Sequence, residues 1–117
     1  VNIIGHPDDG RFPIDYEVLL KTAKGTGTLL ELNNCSLRPQ SSREGTRENM
    51  LTMLELCKQY EVPVTTGSDA HVNIDAGNFA NVMKVLEESR FPEELVATLN
   101  MELLRKYIPS LNAPVVR

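Results

Sequence analysis

Two histidines occur in the 117 residues, and each follows a short aliphatic or β-branched run that ends in glycine. His6 comes directly after Val1-Asn2-Ile3-Ile4-Gly5, and His71 closes the stretch Val64-Thr65-Thr66-Gly67-Ser68-Asp69-Ala70-His71. In an extended segment, residues two apart project to the same side, so Asp69 and His71 can face one site. An oxygen donor beside a nitrogen donor suits zinc, manganese or iron better than calcium. The plainer alternative is an aspartate that caps the next segment and a solvated histidine. Arg38 and Arg43 lie in a long loop, where the plain reading of each is a solvated charge.

These residues need elements to hold them. Val1–Ile4 reads as a short buried strand ended by Gly5. Asp15 is a credible N-cap for a helix whose apolar face is Val18, Leu19, Leu20 and Ala23, stopped by Gly25 and Gly27. Leu29–Asn33 is a second strand, with Leu30 and Leu32 on one face and Glu31 and Asn33 on the other. A long loop from Asn34 to Gly45 follows, of the kind that often serves function. Thr46 begins a second helix carrying Met50, Leu51, Leu54, Cys57 and Tyr60, with Asn49 where a capping box would place Glu or Gln. The methionines there read as core filling rather than as a copper or cofactor site.

Val64–Thr66 is the third strand. A third helix spans about 78–89 and buries Phe79, Val82, Met83 and Leu86. Leu95–Thr98 reads as a brief fourth strand, and Asn100 caps a last helix with Leu103, Leu104 and Tyr107. Pro109 and Pro114 mark a frayed end. The order β-α-β-α-β-α-(β)-α implies an α/β protein with a parallel sheet. In such folds, sites lie at the carboxyl ends of strands. His6, Asn33-Asn34 and Asp69 with His71 all fall there. Asp8 and Asp9, close behind His6, read as turn residues beside Gly10.

Bulk properties are those of one ordinary globular domain, with 41% hydrophobic and 24% charged residues. The net charge of -4 disfavours general nucleic-acid or anionic-membrane binding. No apolar run reaches membrane-spanning length. Two cysteines, Cys35 and Cys57, fit reduced thiols in a cytoplasm better than a disulfide. Cys35 could act as a soft ligand but is left outside the site. The chain opens on Val1 already inside a strand-like run, which suggests a piece of a longer polypeptide.

Three blocks, Val1 to His6-Pro7, Glu31-Leu32-Asn33-Asn34 and Gly67-Ser68-Asp69-Ala70-His71, resemble successive blocks of the polymerase and histidinol phosphatase (PHP) domain family. The loop Ser42-Arg43-Glu44-Gly45 and the helix after it are similar to its small phosphatase branch. The resemblance covers nearly all of residues 1–117, but only the C-terminal half of that domain. It implies one incomplete domain, whose parallel β/α units would form half of a distorted seven-stranded β/α barrel.

It further implies a metal-dependent phosphoesterase that hydrolyses a small phosphorylated substrate with two or three divalent ions, zinc or manganese, with iron also open. His6, Asp69 and His71 would be metal ligands, Asp69 and His71 would take part in catalysis, Arg43 and Arg38 would meet the substrate phosphate, and Glu31 and Asn33 would either orient ligands or only satisfy polar contacts inside the barrel. The family's other ligands precede this half and have no counterpart here. The expectation is therefore an isolated chain without activity, completed by the missing N-terminal half or by self-association. Two other readings stand beside it: a non-catalytic PHP-like binding or scaffold domain, and an amidohydrolase-like metal hydrolase acting on C–N bonds.

Overall fold

The computed structural model describes residues 1–112, so Pro114 lies outside the described residues. Three parallel strands, β1 (Ile3–Ile4), β2 (Leu29–Asn33) and β3 (Val64–Gly67), form a sheet in the order β1-β2-β3. Three α-helices each follow a strand, α1 (Tyr16–Thr26), α2 (Thr46–Tyr60) and α3 (Ala80–Glu88), and a fourth, α4 (Met101–Tyr107), comes after α3. Register pairs Ile4 with Leu30, and Asn33 with Gly67, so the carboxyl ends of β2 and β3 are level. The chain is α/β, as the alternation of elements implies. No helix among the described residues is long and apolar enough to cross a membrane.

The core forms where strand alternation meets helical spacing. Leu30 and Leu32 of β2 and Val64 of β3 are fully buried against Leu20 of α1, Met50, Met53 and Leu54 of α2, and Val82 of α3. Each of these large side chains contributes about 1.5–3 kcal/mol through removal from water. Both methionines are core, and Cys57 is buried beside them, where burial pushes its thiol up to about 12. Cys35 and Cys57 are both free thiols.

Several local expectations are corrected. β1 is not buried: Val1 is almost wholly exposed and Ile3 is partly so, because β1 is an edge strand of this sheet. Gly25 does not stop α1; the helix runs to Thr26 and ends at Gly27, whose φ of 65° places it in the left-handed region that favours glycine. Val18 is exposed on that helix. β3 runs one residue past Thr66 to Gly67, whose carbonyl accepts the Asn34 N–H at 2.8 Å. In α3, Val85 rather than Met83 turns inward, and Phe79 precedes the helix half-buried.

The fourth strand is absent as such. Residues 93–99 form two 3-10 turns, and only Val96 makes a parallel bridge, to Val64. Asp15 and Asn100 do cap α1 and α4, each accepting a backbone N–H at 3.2 Å. Asn49 makes no capping box. It donates instead to the Asp8 carbonyl at 2.9 Å, which ties α2 to the turn after β1.

Candidate functional site

The carboxyl ends of the three strands bring one polar cluster together. Glu31 and Asn33 leave β2 on the face opposite Leu30 and Leu32. The Asn33 amide nitrogen donates to Glu31 Oε2 and to Asp69 Oδ2, both at 3.3 Å. Glu31 Oε2 also accepts the backbone N–H of His6 at 2.8 Å, linking the end of β1 to the same group. Glu31 lies directly over Gly67: a Cβ there would collide with its carboxylate and stand 3.2 Å from its Cγ. Glycine at position 67 is therefore what lets the Glu31 side chain keep this position.

Arg43 reaches into this cluster from the long loop. One guanidinium nitrogen donates to Asn33 Oδ1 and Ser36 Oγ, both at 3.0 Å, and another to Asp69 Oδ2 at 2.9 Å. That guanidinium, then Asn33's amide, holds the Asp69 carboxyl below its ordinary range against the opposing effect of burial. His71 is exposed, and its Nδ1 faces the backbone oxygen of Asp69 at 2.9 Å. His6 is exposed as well. Among the described residues, His6 and Asp69 have φ of 32° and 49°, a region non-glycine side chains seldom adopt. Such strain clusters at functional sites. The other two non-glycine cases, Glu61 and Arg90, lie just beyond helix ends.

Arg38 is placed differently. Its guanidinium makes a two-pronged pair with Asp75, at 3.1 and 3.2 Å, beyond β3. It shares with Arg43 the wall of a pocket of about 490 Å³. Of the residues assigned from the sequence, Glu31, Asn33, Arg43 and Asp69 are joined by direct hydrogen bonds. His6 joins through its backbone and His71 through its ring, while Arg38 stands aside.

Three further residues contribute, of which only Asn34 was placed at this edge from the sequence. Ser36 is buried; it receives Arg43 at its hydroxyl, and its carbonyl accepts the Thr46 hydroxyl. Nothing distinguishes it in sequence from any loop serine. Asn34 is fully buried, and its Oδ1 accepts the Asn81 and Val82 N–H groups at 2.9 and 3.0 Å, capping α3 from β2. Asp8 departs most from its reading as a turn residue: it is fully buried, and neither carboxylate oxygen has a hydrogen-bond partner among the described residues. Burial pushes its carboxyl up, opposed by the nearby Ser36 hydroxyl and more weakly by Arg43. Asp9 does serve the turn, buried and paired to Arg11 at 2.7 Å, which holds its carboxyl far below the usual range.

A divalent metal needs several converging donors. Among the described residues, no three His, Cys, Asp or Glu side chains stand close enough to hold one. Asp69 Oδ2 is also paired with the Arg43 guanidinium at 2.9 Å. The donors present do not fit a self-sufficient metal centre.

No family model matches the chain. It is 38% identical over 108 residues to a protein from Thermoanaerobacter sp. (strain X514) named "Probable phosphatase", covering 92% of this chain and 43% of the relative. Proteins of the same name from Acetivibrio thermocellus and Clostridium novyi (strain NT) are 38% and 36% identical, covering 92% and 94% of this chain and 44% of each relative. The chain thus has relatives that carry a phosphatase name, and it spans less than half of their length.

Proposed function

We propose that the cluster at the carboxyl ends of β2 and β3 is one side of a phosphoester-hydrolysing site of the PHP type. The observation that carries this reading is Arg43. Its guanidinium is held by Asn33, Ser36 and Asp69 at the strand ends, where a phosphate would meet it. The phosphatase names of the relatives point to the same chemistry. In this reading, Arg43 binds the phosphate, and Asp69 and His71 face the reacting atoms. Glu31 and Asn33 keep Asp69 and the His6 backbone in place.

Two or three zinc, manganese or iron ions would supply a water of lowered pKa and neutralise developing charge. Since the described residues do not bring together the donors of a metal centre, His6, Asp69 and His71 would each need further donors. The active unit is then a complete barrel, to which this chain supplies β1 to β3, joined to its other half or to a second copy at the open sheet edge.

The test is to assay the complete domain on p-nitrophenyl phosphate with added manganese or zinc, and to measure bound metal. Asp69→Ala and His71→Ala should abolish turnover. A complete domain that neither turns over nor binds metal sinks the reading. A non-catalytic phosphate-binding module is the second reading, favoured by the pairing of Asp69 with Arg43. Phosphate binding without turnover would select it.

A further inference from the structure

The pocket beside the strand-end cluster has a composition of its own. Three segments build it: the loop carrying Arg38 and Arg43, the first turn of α2 with Arg47, and α3 with Lys84 and Glu88. Its wall thus holds four cations and a single carboxylate, on a chain whose net charge is -4. A local excess of positive charge on a protein of negative net charge is an electrostatic feature that attracts small anions. At about 490 Å³ the pocket has the volume of a small-molecule site.

The cations also differ in how firmly they are committed. Arg43 is bound into the strand-end cluster, and Arg38 is held by Asp75. Among the described residues Arg47 pairs only with Glu88, and both side chains are more than half exposed, so that pair is worth little and yields to a better acceptor. Lys84 makes no ion pair among the described residues. The amides of the first turn of α2 are uncapped by any side chain and add to the same potential.

We infer that this pocket seats a second oxyanion group of the substrate, with Lys84 and Arg47 as its direct contacts and Arg43 as the wall shared with the hydrolytic site. This rests on the reading of the β3 end as that site. It narrows the substrate to a small phosphoester with another acidic group, phosphate or carboxylate.

The test uses the complete domain and three alkyl phosphates of equal chain length, ending in a methyl, a carboxylate or a second phosphate. Wild type should show a lower KM for the anion-ended esters. Lys84→Ala and Arg47→Ala should each reduce that preference about tenfold, the loss of one charge-assisted hydrogen bond. Lys21→Ala, on the far helix α1, is the control and should retain it. The two anionic arms decide between phosphate and carboxylate.

Calorimetric titration with the matching non-hydrolysable phosphonates reads the pocket whether or not the domain turns over. Binding that weakens in Lys84→Ala supports the subsite even if the hydrolytic reading fails. An equal preference in wild type and both variants, or binding indifferent to Lys84, overturns it while leaving hydrolysis untouched.

Discussion

Replacement of Gly67 by alanine should change sign in its effect on stability according to what stands at position 31. The added Cβ would overlap Glu31 Oε1 and lie 2.9 Å from its Cδ and 3.2 Å from its Cγ. A flexible side chain can swing away from such a collision, so the clash itself costs little. What is lost is the position of the carboxylate, with its 2.8 Å hydrogen bond from the His6 N–H and its weaker contact to Asn33. A hydrogen bond to a half-buried charge is worth about 1.5 kcal/mol, the low end for charged groups. Against that, Gly→Ala at a position any residue can adopt stabilises by about 0.7 kcal/mol through the unfolded chain.

Gly67→Ala alone should therefore destabilise by about 0.8 kcal/mol. In a Glu31→Ala background the lost bond is already gone, and the same substitution should stabilise by about 0.7 kcal/mol. Equilibrium unfolding in urea resolves this as midpoint shifts of roughly half a molar in opposite directions. The difference between backgrounds is the coupling of the two sites. Equal effects of Gly67→Ala in both backgrounds would refute the claim that Glu31 is what requires glycine there.

Other expectations follow from the same geometry. Asp8 has a folded-state pKa above its unfolded value, so its ionisation is a penalty that accumulates as pH rises from the unfolded pKa and is absent below it. Asp8→Asn should raise the unfolding midpoint at pH 7, with the gain vanishing in acid; a gain equal at both pH values would deny the buried charge. Asp69 has the opposite sign: its pKa is depressed, chiefly by Arg43, so its contribution is present at neutral pH and lost as pH falls through the folded value. Arg43→Ala should return the Asp69 titration, followed by NMR, towards the ordinary carboxylate range, and an unmoved titration would detach the pair. Burial keeps the Cys57 thiol protonated, so alkylation at pH 8 should modify Cys35 first, with Cys57 reacting only on unfolding.

The elements could be read from the sequence because their signals are local. Alternation in Leu29–Asn33, helical spacing from Thr46 to Tyr60, and the capping side chains of Asp15 and Asn100 act over a few residues. The same logic placed Asn33 and Asp69 at strand ends, since parallel β/α order puts loops together on one edge. It failed at Leu95–Thr98, where a run with strand-like composition has only Val64 to pair with and turns instead into 3-10 structure. Burial of a strand or a helix face depends on what lies across from it, so Ile3 and Met83 could not be judged from their own type.

What sequence alone determined was the β/α order and a set of candidate donors at one edge. Tertiary structure decided how those donors are spent. Register between β2 and β3 sets Asn33 level with Gly67, and a loop of no fixed period carries Arg43 back to Asp69. The first depends on pairing between strands far apart in sequence, and the second on a path that no short-range pattern encodes. The burial of Asp8, the capping of α3 by Asn34 and the meeting of Arg47 with Lys84 in one pocket have the same origin. Each joins residues more than 30 positions apart or depends on packing around a turn, and only the folded chain brings them together.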